Sequence, residues 1–315
     1  DPAQQKMMTV MMPLMMGFIF FNLAAGLNLY YAESNLISIV QQAIMNRTKL
    51  GLEVMYVTED TVRSSPDHLR TLFTAAIEAG AKRLCLCDTC GAAVPDGVWN
   101  LVSWVKSLIT ELGVDVGIDW HGHRDRGLDM GNTLAAIEAG ATRVHGTALG
   151  IGERVGNTPV EQLLVNLKLL GIRNDDLSRL PDYVELVAQA TGVPMPVNTP
   201  IVGRDAFRTA TGVHAAAVIK AQKKGDRWLA DRVYSGVPAS WLGRAQEIEV
   251  GAMSGTSNVL YYLTARRLPK TPEVVQAVMQ AAKNSSQILT EEEIREIVRS
   301  VVRANVSVEA TPERK

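Results

Sequence analysis

Residues 75–84 read A-A-I-E-A-G-A-K-R-L, and residues 135–144 read A-A-I-E-A-G-A-T-R-V. The offset between the copies is two units of about 30 residues, each the span of one strand plus one crossover helix. In each copy a glycine (Gly80, Gly140) closes a helix and Ala-x-Arg leads into the next strand. Working outward, apolar runs at 53–58, 83–87, 115–120 and 143–147 read as strands. Helical patterns at 66–79, 96–112, 131–139 and 159–170 alternate with them. Four βα units in succession predict a parallel sheet. With polar residues collected at the strand C-termini, the pattern is that of a TIM-type barrel, which needs eight such units. Only four fit between Gly51 and Gly171.

Composition describes an ordinary globular chain of 315 residues, 47% hydrophobic and 21% charged, with net charge −1. That balance gives no reason to expect nucleic acid as a partner. Three cysteines, all between Cys85 and Cys90, fit a reducing compartment better than a disulfide framework. The averages hide a break. Residues 1–47 hold seven of the twelve methionines and four charged side chains, and none is charged from Met7 to Ala32. That run is long enough to span a bilayer. A helix over 7–21, a turn at 22–26 and a second helix over 27–45 form an apolar α-helical hairpin, so membrane association through residues 7–45 is expected. A signal peptide, with Lys6 as its charged end and Ala24-Ala25-Gly26 as cleavage site, is the rival reading. A buried soluble hairpin is the third.

Beyond Gly171 the pattern loosens. Prolines at 194–200 make an extended connector, and helices follow around 208–223, 256–267, 272–283 and 291–303. Thr290 with Glu293 forms a capping box for the last of them. These are helical C-terminal subdomains. The expected division is therefore a hairpin over 1–47, a partial barrel over 48–172, and subdomains with a tail over 173–315.

The residues that carry chemistry gather at predicted strand ends. His121-Gly122-His123 places two imidazoles on one face of a strand, where they can converge on an ion. Asn157 lies at the matching end of the next strand. Two imidazoles and an amide oxygen leave open positions, which suits an exchangeable divalent ion that polarises a carbonyl. Gly150-x-Gly152 with Gly156 has neither the spacing nor the acidic ribose partner of a dinucleotide loop. Cys85 and Cys87 share a face of a buried strand and read as small hydrophobes. Asp88 and Thr89, at the same strand end, are better site candidates. Glu59-Asp60 ends the first strand and could supply an acid or base. His214 lies on a helical stretch, and neither His68 nor His145 has a partner visible in the sequence.

Two resemblances follow from these residues. The stretch Q-Q-K-M-M-T-V-M-M-P-L-M-M-G-F-I-F-F-N at 4–22, continued through Arg47, resembles the last transmembrane hairpin of YidC-type membrane insertases. Four later segments together resemble the 2-isopropylmalate synthase and homocitrate synthase group of metal-dependent acyltransferases. They are E-D-T-V-R at 59–63, C-D-T-C-G at 87–91, H-G-H-R-D-R-G-L at 121–128 and G-I-G-E-R-V-G-N at 150–157. The likeness continues at 200–220 and 254–259 and covers about residues 52–300. It implies that His121, His123 and Asn157 are metal ligands for Mg, Mn, Zn or Co, and that Glu59 and Thr89 line a 2-oxo acid pocket. It implies that His214 and Tyr234 reach into the active site of the other subunit of a homodimer. The implied reaction is a Claisen condensation of acetyl-CoA with a 2-oxo acid, converting the acyl group into an alkyl on transfer. His214, helped by Glu59, is the implied base. Arg124 departs from the asparagine common at its position.

The family's barrel opens with a strand reading D-T-T-L-R-D-G-E-Q or close to it, which carries an aspartate ligand. That segment does not occur here, and the likeness starts at the barrel's fifth strand. The expectation is thus the C-terminal half of a barrel with legible but incomplete chemistry, joined to the hairpin between 47 and 52. Two alternatives are a related metal-dependent aldolase or lyase, and an inactive membrane-tethered fusion. The catalytic part is expected in the cytoplasm, and at the membrane if the hairpin is genuine.

Overall fold

The computed structural model describes residues 53–309. The hairpin expected over 1–47 lies outside them. Among the described residues, no helix is long and apolar enough to cross a membrane.

Four βα units occur as the repeat predicts. The strands are β1 (Met55–Thr58), β2 (Arg83–Asp88), β3 (Gly117–Gly122) and β4 (Arg143–Val144), followed respectively by α1 (Pro66–Glu78), α2 (Pro95–Glu111), α3 (Asp129–Ala139) and α4 (Val160–Leu169). The strands are parallel and lie in the order of the sequence. This is the arrangement of a TIM-type α/β barrel segment. The repeated glycines do what the sequence asks of them: Gly80 and Gly140 adopt φ of 102° and 116° just past α1 and α3. Leu84, Leu86, Ile118 and Trp120 are sealed against Leu69 and Phe73 of α1 and Val98, Val102 and Val105 of α2. The helical spacing of the three valines gives α2 the apolar stripe that this packing needs.

The fourth strand is shorter than the 143–147 expected. The ladder continues to His145, whose N–H donates to Trp120 O at 3.0 Å. Gly146 then turns the chain against Thr158, so that Thr147 pairs with Pro159 instead.

The subdomains hold corrections as well. Helix α5 (Leu180–Thr191) adds to the helices expected, and Leu180, Val184 and Ala188 mark its buried face at four-residue spacing. The helix expected from 208 begins only at Gly212 (α6, Gly212–Lys223), because β5 (Arg208–Thr209) pairs in parallel with β6 (Glu247–Ile248). A short α7 (Arg227–Ala230) lies between them. Helices α8 (Thr256–Ala265), α9 (Pro272–Asn284) and α10 (Glu291–Glu309) pack around Val259, Leu263, Val278 and Ile294. The capping box is present: Thr290 N–H donates to Glu293 Oε2 at 2.7 Å, and Glu293 N–H to Thr290 Oγ1 at 3.3 Å.

Candidate metal centre at the strand ends

Alternation along β3 sends Trp120 into the helix-covered core and Asp119 and His121 to the opposite face. His123, just past the strand, forms an isolated antiparallel bridge with Asn157. His123 N–H also donates to Asp88 O at 3.2 Å, and Arg124 N–H to Gly156 O at 3.0 Å, which ties the loops after β2, β3 and β4 together. The glycines of the last loop exist for this closure. A Cβ on Gly156 would lie 1.7 Å from Gly150 O, and one on Gly152 would lie 2.1 Å from Asn157 Oδ1. The loop folds tightly upon itself and presents the Asn157 amide.

The imidazoles of His121 and His123 stand with centroids 5.4 Å apart, nearly perpendicular. Burial, with His145 and His123 beside it, holds His121 below its ordinary pKa, so the ring is neutral and keeps a lone pair. His123 is 8% exposed, and its Nδ1 has no hydrogen-bond partner. Asn157 uses Nδ2 to donate to Gly122 O at 3.3 Å, which leaves Oδ1 as an acceptor. A neutral imidazole, an unpartnered buried ring nitrogen and a free amide oxygen form a donor set that fits a divalent ion. Among the described residues no group of three or more His, Cys, Asp or Glu side chains could hold an ion.

Charged side chains frame the rim. Arg154 clamps Asp125 through Nε at 2.8 Å and Nη2 at 2.9 Å, and donates to Thr89 O at 2.6 Å. The guanidinium holds the Asp125 carboxyl below the usual carboxylate range. Thr89 Oγ1 accepts from Asp60 N–H at 2.8 Å. Glu59 is exposed at the end of β1.

Asp88 is corrected as a site candidate. It is fully buried, and its two carboxylate oxygens accept from the N–H groups of Ala92 and Ala93, so it builds the turn. Cys85 and Cys87 are buried with sulfurs 3.8 Å apart, as small apolar residues would be. Arg124 reaches toward Leu149 O at 3.4 Å, and Leu149 sits at φ 56°, a strained value for a branched side chain. The Leu149 N–H donates to the buried Glu161, whose carboxyl burial pushes up.

His214 and Tyr234 are brought together, with rings stacked at 4.3 Å, and both are exposed. Among the described residues no hydrogen bond or ring contact joins this pair to His121, His123 or Asn157. The contacts of Asp119 and His145 are not visible in the sequence alone. Asp119 is buried between Arg83 and Arg143 and lies 3.2 Å from His145 Nε2, and His145 Nδ1 lies 3.3 Å from His121 Nδ1. The repeat held the signal: its two Ala-x-Arg copies put Arg83 and Arg143 on the strands flanking β3.

Comparison with known proteins identifies the family. A family model described as HMGL-like matches residues 23–187, just over half of the chain. The match takes in residues 23–47 of the stretch read as an insertase-like hairpin. An (R)-citramalate synthase of Aquifex aeolicus is 33% identical over 232 residues, covering 70% of this chain and 42% of that protein. A homocitrate synthase of Saccharolobus solfataricus is 34% identical over 218 residues, covering 69% and 44%. A protein of Ignicoccus hospitalis named "Probable 2-isopropylmalate synthase" is 33% identical over 257 residues, covering 80% and 61%. None of these relatives is a membrane insertase. The chain spans about half the length of the curated relatives it matches. On the strength of the family match, this chain belongs to the HMGL-like family.

Proposed function

We propose that this chain forms part of a divalent-metal-assisted acyltransferase that condenses acetyl-CoA with a 2-oxo acid. The observation that carries the reading is the bridge between His123 and Asn157, which sets an amide beside two histidines at the C-terminal end of β3. In a barrel-type sheet that end is where reactive groups collect. Relatives named as citramalate, homocitrate and isopropylmalate synthases support the same chemistry.

His121, His123 and Asn157 would hold the ion, and when bound it would polarise the ketone of the 2-oxo acid. The Arg154–Asp125 clamp holds the rim in one arrangement and fixes the backbone at Thr89. Thr89 and Glu59 line the 2-oxo acid pocket. His214 removes a proton from the acetyl methyl, with Tyr234 stacked on its ring to set its orientation. The carbanion attacks the ketone carbon, a carbon–carbon bond forms, and the ketone oxygen takes up a proton. Hydrolysis of the thioester then releases the CoA thiol. Exposure of His214 and Tyr234 in the subdomain favours a homodimer in which this pair serves the other protomer's strand ends.

The test is release of CoA thiol from acetyl-CoA in the presence of Mn2+ and each of a panel of 2-oxo acids. Thiol release that needs both the ion and His121 is expected. A folded chain that neither binds a divalent ion nor releases thiol with any 2-oxo acid would overturn the proposal.

A further inference from the structure

The polar face of the sheet carries a line of five side chains, the last of them a proposed metal ligand. Arg83 and Arg143 both contact Asp119, which is completely buried. Two guanidiniums on one carboxylate leave it a pure acceptor. His145 Nε2 lies 3.2 Å from Asp119 Oδ2, so this nitrogen carries the ring's proton. In the tautomer with its one proton on Nε2, the ring offers a lone pair at Nδ1, and that atom faces His121 Nδ1 at 3.3 Å. A contact between two ring nitrogens holds one proton, and here His121 must supply it. With its proton on Nδ1, His121 is left with an unprotonated Nε2.

Strand register produces this line. Asp119 pairs with Arg143 across β3 and β4, so His121 and His145, each two residues on, lie side by side on the same face. Ring centroids 5.4 Å apart at 61° agree with an edge contact through the nitrogens.

We propose that His145 is a positioning residue that, held by Asp119, fixes the His121 tautomer with Nε2 free to bind a divalent ion. The carboxylate orients one imidazole, and that imidazole orients the next. This rests on the ion-site reading of His121 given above, but the tautomer is measurable without any ion. The rival role is structural, in which His145 only satisfies the buried Asp119.

Two substitutions separate the roles, because Asn and Gln place a polar group at different points of the imidazole. His145→Asn sets an amide oxygen near the former Nδ1, where it accepts from His121. His145→Gln sets an amide N–H near the former Nε2, where it donates to Asp119. His145→Phe does neither. The first readout is nitrogen-15 NMR of the imidazoles in the ion-free full chain. The wild type and His145→Asn are expected to show His121 protonated at Nδ1, and His145→Phe and His145→Gln to show that signature lost. The second readout is Mn2+ affinity by calorimetric titration, which is expected to fall about 10–100-fold in His145→Phe and His145→Gln. His145→Asn is expected to stay within a few-fold of wild type.

Wild-type His121 protonated at Nε2 would overturn the proposal. So would a His145→Phe protein with an unchanged His121 signature. A wild type that shows the Nδ1 signature, loses it in His145→Phe, yet binds no ion would support the tautomer assignment and overturn the ion site instead.

Discussion

On one face of the four-stranded sheet, Leu84, Leu86, Ile118 and Trp120 are sealed under α1, α2 and α3 with almost no exposed surface. On the other, the same strands present Arg83, Asp119, His121, Arg143 and His145, joined by ion pairs and ring contacts, while Val57 at the β1 edge is 52% exposed. The apolar face holds the strands in place through burial that is tolerant of small rearrangement. The polar face depends on direction: Asp119 is held by Arg83, Arg143 and His145 together, and loss of one member leaves buried groups uncompensated. One face supplies stability and the other spends part of it on placing two imidazoles.

Substitutions should separate the faces. The largest effect on stability is expected from Trp120→Ala, about 3–5 kcal/mol for emptying a fully buried aromatic site. Urea unfolding measures it, and Mn2+ affinity of the folded fraction should stay within a few-fold. Asp119→Ala comes next, at about 3 kcal/mol, the low end for a broken buried pair because Arg143 is half in water. Unlike Trp120→Ala, it should weaken Mn2+ binding as well, and calorimetry on the same protein checks that coupling. Gly156→Ala should cost about 1–3 kcal/mol, since φ there is +97° and the added carbon would collide with Gly150 O. Its mark is a loss of ion affinity through displaced Asn157, with the apolar core intact.

The smallest effect belongs to Glu161, beneath the loop that carries Leu149. Its carboxyl is raised by burial, so ionisation is disfavoured in the folded chain. The stability it contributes is full below the ordinary glutamate range and is lost as pH rises through the raised folded value. Urea midpoints of wild type and Glu161→Gln should therefore shift in the variant's favour between pH 4 and pH 8. A difference that does not change with pH would contradict this placement.

How much of this could be read from the chain differs between the same two faces. The apolar face is written in local periodicity, and the repeat at 75–84 and 135–144 fixed helix ends and strand starts to within one or two residues. That His121, His123 and Asn157 share the strand ends was legible because H-x-H and the glycine loop sit there, where alternation and turn chemistry decide direction. Asp119 and His145 were not. An aspartate inside an apolar run and a histidine two residues past an arginine acquire partners only through the register of β2, β3 and β4. The two-residue strands β5 and β6 escaped for a related reason: each is too short for alternation to register, and they pair across nearly 40 residues. Helix α5 is different, since its apolar spacing is visible in the sequence. The pairing of His214 with Tyr234 in space likewise lay beyond any local pattern.

The central claim is that the polar face ends in an ion site built from His121, His123 and Asn157. Its most direct measurement is Mn2+ titration of the full chain beside His121→Ala, His123→Ala and Asn157→Ala, with unfolding midpoints taken on the same samples. Saturable binding of one ion per chain is expected, falling in every variant by at least the roughly 10–100-fold that loss of an outer partner costs, with midpoints little changed. Equal affinity in wild type and all three variants would contradict the account.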